Sequence, residues 1–199
     1  PDAVCCGIAS LDDVVPGAAL NGTRLPGAFD PFEISMRAVL GQQISVRAAN
    51  KLAFRIVSTY GKPVDTGIEG LDRASLTVDD VLGFEDIEAA FGELGVIKTR
   101  SRTIRAIAAA LKAGELSFDA AADAAEQIDN LLAIKGIGPW TANYIAMRAL
   151  SYPDAFLETD AGIKHALPDY TPKQRLELAE QWRPWRSYAN ICLWNSLAG

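Results

Sequence analysis

Apolar residues recur every three or four positions along most of the chain, which is the spacing of one buried helix face. Asp30 and Pro31 predict a helix start, with aspartate as the N-cap and proline in the first turn. The helical spacing that follows runs to Leu40. After a short interruption, Ser45 predicts the cap of a second helix, which reaches about Tyr60 before a glycine.

A glycine- and proline-containing loop at 61–76 separates these two helices from a series of shorter ones. The further predicted helices cover about residues 77–82, 85–93, 99–113, 119–125, 126–134, 140–150, 160–167, 172–182 and 186–197. No convincing run of alternating apolar and polar residues indicates β-strands, so the predicted fold class is all-α. Residues 1–29 predict a short helix and a connecting arm, followed by one helical domain over 30–199.

The charge and the cysteine content argue against several classes of partner and site. The formal net charge of −6 argues against broad electrostatic binding to nucleic acid. A local cationic site stays open, since one short stretch without acidic residues holds Lys98, Arg100, Arg102, Arg105 and Lys112. Three cysteines without a CxxC pair argue against a disulfide framework or a zinc site, which predicts a reducing, intracellular setting. No apolar run approaches the roughly 20 residues that span a bilayer, so no membrane partner is expected.

The stretch LLAIKGIGPWTANYIAMRAL, residues 131–150, places Gly136 and Gly138 between two apolar helical patterns. Glycine at both flanks of a tight turn permits positive φ and removes side chains from the face that a ligand would approach. The N–H groups at the start of the second helix would then form an anion site suited to a DNA phosphate. Gly136, Gly138 and Thr141 are therefore candidate DNA contacts, with Ile137 as an apolar plug. A plain helix–turn–helix corner without a ligand is the alternative for the glycines alone.

This hairpin, at 126–150, resembles the helix–hairpin–helix of the DNA base-excision glycosylase superfamily. The closer resemblance is to AlkA-type 3-methyladenine DNA glycosylase II, and it covers about Leu25 to Trp194. Three further segments carry it: FEISMRAVLGQQISVRAANKLAFRIVSTYG, ELGVIKTRSRTIRAIAAAL and QWRPWRSYANICLW. The resemblance implies two helical lobes with a central cleft. It also implies hydrolysis of the N-glycosidic bond of alkylated purines, such as 3-methyladenine and 7-methylguanine, in duplex DNA.

Asp160, in the segment AFLETDAGIKHAL after the hairpin, is the candidate catalytic residue. From its spacing alone it would be an N-cap aspartate of a short helix. The resemblance implies a catalytic carboxylate, which stabilises the positive charge that builds up on the sugar and orients or deprotonates the attacking water. The sequence does not separate these two roles.

Three aromatic residues, Trp140, Tyr144 and Trp194, match pocket-lining positions of the family. Alkylated purines carry positive charge, which indole rings attract through cation–π contacts. Trp140 stands where bifunctional members have a lysine nucleophile, so the resemblance implies a monofunctional enzyme that leaves an abasic site. Core packing is the alternative for Tyr144 and Trp194, whereas two other tryptophans, Trp182 and Trp185, are predicted to pack helices together.

The turn with Gln42 and Gln43 is where family members carry the side chain that fills the gap left by a flipped base. Well-known members have leucine at the position of Gln43. The amide of Gln43 could fill the gap and bond to the orphaned base, which makes both glutamines candidate DNA contacts. The alternative is that Gln43 only caps a turn.

The resemblance further implies a structural Na⁺ or K⁺ held by the backbone carbonyls of Leu132, Ile134 and Ile137, with no other cofactor required. Longer members carry an N-terminal β-rich domain, for which the residues before Asp30 are too few, and Ala161 stands where tyrosine is frequent. The expected partner is duplex DNA with alkylated bases, bound by a cytoplasmic monomer. Two alternatives remain: a non-catalytic helix–hairpin–helix DNA-binding module, and a bifunctional glycosylase/lyase for oxidised bases.

Overall fold

The computed structural model describes residues 3–19 and 22–197, and the regular structure in these ranges is helical, as the sequence predicts. In chain order the α-helices are α1 (Ala3–Gly7), α2 (Pro31–Leu40), α3 (Val46–Tyr60), α4 (Val78–Leu82), α5 (Ile87–Gly92), α6 (Lys98–Ala113), α7 (Ala124–Ala133), α8 (Pro139–Ala149), α9 (Ala161–Ala166), α10 (Pro172–Ala179) and α11 (Arg186–Asn195). Two 3₁₀ segments cover Ala9–Asp13 and Glu180–Trp182. The only β-pairing within the described ranges is an isolated bridge between Pro63 and Arg73. No helix in these ranges has the length and apolar character that crossing a membrane requires.

Most predicted helix ends are confirmed because short-range hydrogen bonds set them. The Asp30 carboxylate accepts the N–H of Phe32 at 2.8 Å, and Pro31 lies in the first turn of α2. Ser45 caps α3 through the N–H of Ala48. Gly114 ends α6 with a φ of 74°, the left-handed conformation that glycine adopts without steric cost.

The helix predicted over 119–125 is wrong. Its alanines favour a helix, but residues 120–121 form a turn and α7 begins only after Asp123. The Asp123 carboxylate accepts the N–H groups of Ala125 and Glu126 at 2.9 and 3.0 Å, which starts the helix there. The side chain of Gln127 reaches back to the N–H of Ser117 at 2.8 Å, which fixes the chain before the turn in a non-helical path.

The described residues belong to two compact units, of which the first comprises Pro1–Ala28 and Ala146–Gly199. Its core includes Trp182, which is fully buried and packs edge-on against Phe156 at 5.7 Å. This confirms the packing role predicted for Trp182. Ile8 and Leu11 are fully buried in the same cluster. The interpretation of residues 1–29 as a connecting arm is therefore corrected, because part of that segment is core.

The second unit comprises Phe29–Ile145, and α6 lies at its centre, in contact with α2, α4 and α5. Ile104, Ile107 and Ala108 of α6 are fully buried, at the spacing of a single helix face. The predicted domain of residues 30–199 is thus divided at α8, and its C-terminal part folds with the N-terminal residues.

The capping box that begins α4 gives a prediction about acid stability. Lys62 Nζ lies 2.7 Å from Asp80 Oδ1, and the N–H and hydroxyl of Thr77 donate to Asp80 Oδ2. The Lys62 contact, followed by the Thr77 donors, lowers the pKa of Asp80 from 3.8 to about 2. Because the folded-state pKa is the lower one, this stabilisation is present above about pH 4 and is lost as the pH falls towards 2.

We therefore expect Asp80→Asn to lower the free energy of unfolding by about 1 kcal/mol at pH 7, after allowance for solvent screening. Urea titrations of both proteins at pH 7 and pH 2.5 measure the free energy of unfolding. The difference between Asp80→Asn and the unmodified protein should be smaller at the lower pH. An equal deficit at both pH values would show that the charge of Asp80 is not what stabilises the box.

Candidate active site

Asp160 is the residue before α9, and one oxygen of its carboxylate accepts three hydrogen bonds. Oδ1 accepts the N–H groups of Gly162 at 2.8 Å and Ile163 at 3.2 Å, and the indole N–H of Trp194 at 2.8 Å. The side chain is half-buried. The predicted N-cap role is confirmed, and the same bonds give the carboxylate a fixed orientation, which an electrostatic catalyst requires.

Gly162 makes the contact between Trp194 and Asp160 possible. A Cβ at Gly162 would lie 2.6 Å from Cδ1 and 2.9 Å from Nε1 of the Trp194 indole, closer than carbon atoms can approach. This site residue was missed in the sequence. The available signal was a glycine in the first turn of a short helix, where glycine is unfavourable unless close packing requires it.

The segment that leads to Asp160 is bonded to α11, the helix that also carries Trp194. The Ser187 hydroxyl oxygen accepts the N–H of Ala155 at 3.0 Å. Asn190 donates to the Ala155 carbonyl at 3.0 Å and accepts the N–H of Leu157 at 3.3 Å. Ser187 and Asn190 are both fully buried. One face of α11 therefore orients both the aspartate and the backbone before it.

The N-terminal end of α11 is anchored by ion pairs. Arg186 Nε lies 2.7 Å from Oδ1 of Asp154, a buried carboxylate that also pairs with Arg183. Glu180 bonds to Arg183 at 2.8 Å, and this hydrogen bond lowers the pKa of Glu180 below its ordinary value. These contacts tie the loop before Asp160 to the start of α11.

The predicted hairpin lies between α7 and α8, with Ile137 buried as its plug. Gly136 has a φ of 98°, and a Cβ there would lie 2.1 Å from Oγ1 of Thr103. Gly138 has no positive φ, and a Cβ there would meet nothing within 4 Å. Of the two flanking glycines, Gly136 uses the positive φ that glycine permits and is required for the fold, whereas Gly138 leaves the surface of the turn open.

The two candidate glutamines have different environments. Gln42 donates through Nε2 to the Gly136 carbonyl at 2.9 Å and to Oγ1 of Thr141 at 3.0 Å. The side chain of Thr141 is buried and so cannot reach DNA. The predicted DNA contact of Thr141 therefore stays a prediction for its backbone N–H alone. Gln43 is exposed, with a φ of 56° that non-glycine residues rarely adopt.

Trp140 and Tyr144 lie one helical turn apart on α8 and stack, with ring centroids 5.1 Å apart and planes 11° apart. Both are half-buried. They belong to the second unit, whereas Asp160 and Trp194 belong to the first. The structure thus pairs the predicted pocket residues as Trp140 with Tyr144 and as Trp194 with Asp160.

The cationic stretch of α6, where the sequence left a local cationic site open, makes several contacts within the protein. Arg102 forms two hydrogen bonds with Glu88, at 2.6 and 2.9 Å, and they lower the pKa of Glu88. The other internal contacts are Arg100 to the Gln42 carbonyl, Arg105 to the Phe84 carbonyl and Lys112 to Asp79.

The predicted monovalent ion would need oxygen donors from the hairpin backbone. The carbonyls of Lys135 and Gly136 are bound by side chains of other elements, and that of Ile134 accepts the N–H of Ile137 at 3.1 Å while keeping a second lone pair. The carbonyls predicted as ligands, at Leu132, Ile134 and Ile137, stay a prediction. Within the described ranges no cluster of three or more His, Cys, Asp or Glu residues could hold a metal.

Known proteins resemble this chain in sequence and in fold. Residues 36–183 match the family model described as HhH-GPD superfamily base excision DNA repair protein. The chain is 41% identical over 180 residues to a probable bifunctional transcriptional activator/DNA repair enzyme AlkA of Mycobacterium tuberculosis, covering 88% of this chain and 35% of that protein. It is 38% identical over 178 residues to DNA-3-methyladenine glycosylase 2 of Escherichia coli, covering 89% of this chain and 62% of that protein.

The fold agrees with a crystal structure of DNA-3-methyladenine glycosidase from Bacillus halodurans, with a TM-score of 0.74 and 23% identity over 98% of this chain and 89% of that one. The chain spans less than two thirds of the length of the two relatives above. The family match covers the hairpin and Asp160 and ends before α11, the helix that carries Trp194. The chain therefore belongs to the HhH-GPD superfamily of base excision DNA repair proteins.

Proposed function

We propose that this protein hydrolyses the N-glycosidic bond of alkylated purines in duplex DNA and leaves an abasic site. The observation that carries the proposal is the Asp160 carboxylate, whose Oδ1 accepts two backbone N–H groups and the Trp194 indole N–H. Similarity to proteins named for 3-methyladenine in DNA supports the substrate class.

Cleavage of an N-glycosidic bond leaves positive charge on the sugar in the transition state. A carboxylate that is already oriented stabilises this charge without reorganisation. Asp160 performs this role, and the oxygen that faces the sugar also orients the attacking water. The bonds on Oδ1 are what keep the side chain from rotating during the reaction.

The stacked pair of Trp140 and Tyr144 provides an aromatic surface for a cationic purine. A cation–π contact of this kind is worth about 0.5–2 kcal/mol. A purine alkylated at N3 or N7 is already a good leaving group, so the reaction needs little general-acid help. Trp140 in place of a lysine nucleophile supports a monofunctional hydrolase.

The hairpin binds a DNA phosphate at the start of α8, where Gly138 leaves the backbone accessible. Gln43 fills the gap of the flipped base, which offsets part of the few kcal/mol that flipping costs. A Na⁺ or K⁺ at the carbonyls of Leu132, Ile134 and Ile137 would add positive charge to this phosphate site. The protein acts on duplex DNA as a monomer.

The test uses a duplex oligonucleotide with a single 7-methylguanine, incubated with the protein and then divided into samples with and without alkali. We expect strand cleavage only after alkali, because a monofunctional glycosylase leaves the backbone intact. Cleavage without alkali, together with covalent trapping by borohydride, would identify a glycosylase/lyase instead. Binding of the duplex without any base release would support the non-catalytic module.

A further inference from the structure

Side-chain hydrogen bonds to three backbone carbonyls connect the turn at 41–44, the hairpin and α6 within the second unit. Arg100 of α6 donates to the Gln42 carbonyl. Thr103, one turn later on α6, places its hydroxyl 3.0 Å from the Lys135 carbonyl. Gln42 donates its side-chain amide to the Gly136 carbonyl at 2.9 Å. Each contact joins a different pair of the three elements, so together they form a closed triangle.

All three contacts end on backbone carbonyls, which means that they fix the path of the main chain. Gln42 takes part twice, through its carbonyl and through its amide, and Thr141 gives the amide a second acceptor at 3.0 Å. The next residue, Gln43, is exposed in a left-handed conformation. A residue persists in this conformation when the surrounding structure holds it there.

We propose that Gln42 is a positioning residue that fixes Gln43 relative to the hairpin, and that it is not itself a DNA contact. The inference rests on the proposed function, in which the hairpin binds a phosphate and Gln43 enters the base stack. Because the three contacts hold the turn and the hairpin in one fixed arrangement, a duplex whose phosphate is bound at the hairpin meets the Gln43 side chain in a fixed direction. The coupling is local and requires no conformational change.

The first arm of the test needs no DNA. In Gln42→Leu, which keeps the volume and removes the donor, we expect amide hydrogen exchange of Ile44 and Ile137 to become about 5- to 30-fold faster. Asn143→Leu is the matched control, since this amide donates to Pro139 within its own helix at 3.0 Å and should leave both rates unchanged. Thr141→Val, a milder variant that removes one acceptor of Gln42, should give a smaller change in the same amides. Unchanged exchange in both Gln42→Leu and Thr141→Val would overturn the proposal.

The second arm measures insertion of Gln43 by the fluorescence of 2-aminopurine next to an abasic site in a duplex. Gln43→Ala and Gln42→Leu should each reduce the change in fluorescence, whereas the salt dependence of binding should stay the same because the phosphate contacts remain. In the double variant, the change in fluorescence should be no smaller than in Gln43→Ala alone. Additive losses would identify Gln42 as an independent DNA contact and would overturn the proposal. Absence of binding by the unmodified protein, combined with faster exchange in the first arm, would refute the proposed function but not the triangle.

Discussion

Replacement of Asp160 by asparagine is expected to slow base release by about 100-fold or more, the loss seen when a preorganised electrostatic group is removed. Asparagine has the same shape and is equally good at an N-cap, so it can still accept the N–H groups of Gly162 and Trp194. Only the negative charge is lost. The fold and the affinity for an abasic duplex should therefore remain close to those of the unmodified protein.

Single-turnover release of 7-methylguanine, followed by alkali cleavage, measures the rate. Asp123→Asn is the matched control, because Asp123 caps α7 through two backbone N–H groups in the same way but accepts no indole. It should release the base at the normal rate. A rate near normal for Asp160→Asn would remove this carboxylate from the mechanism. A melting temperature far below that of the control variant would assign Asp160 a mainly structural role.

Gly136→Ala should destabilise the second unit by about 2–4 kcal/mol, which combines the cost of a left-handed alanine with overpacking against Thr103. The added methyl would lie 2.1 Å from Oγ1 of Thr103, in a residue whose φ is 98°. Gly138→Ala is the matched control in the same turn, because its methyl would meet nothing within 4 Å. Its free energy of unfolding should change by about 0.5 kcal/mol or less.

Urea denaturation of both variants measures the difference. Adding Thr103→Ala to Gly136→Ala removes the oxygen that clashes and should recover part of the loss, while the strained φ remains. Equal stability of the two glycine variants would show that the hairpin does not need the conformation of Gly136. If the backbone at Gly138 binds a phosphate, Gly138→Ala should weaken DNA binding although its fold is intact.

The end points of most helices could be predicted from the sequence because the bonds that set them are short in range. Asp30 and Ser45 accept N–H groups two and three residues later, and Gly114 needs only its own conformational freedom. The exception is the turn before α7. There a helix was predicted over 119–125, and the hydrogen bond that prevents it, from the N–H of Ser117 to the Gln127 side chain, spans ten residues.

The order of motifs along the chain also predicted the family and the hairpin, which are confirmed, because both depend on residue types at fixed positions in the sequence. The catalytic role of Asp160 rests on the same order and stays a prediction. The cationic stretch on α6 shows what residue types along the sequence cannot predict. Charge density along the chain left a local cationic site open, but it could not show the pairing of Arg102 with Glu88, which lies 14 residues away in the sequence.

Tertiary structure alone revealed what orients the candidate site residues. Trp194 meets Asp160 across 34 residues of sequence, and Gln42 meets Gly136 across 94. Such contacts depend on how helices pack, and no local pattern specifies which amide will reach which carbonyl. The candidate site could therefore be predicted from the sequence only as a list of residue types. The direction of each side chain, on which electrostatic catalysis depends, was fixed only when distant helices came together.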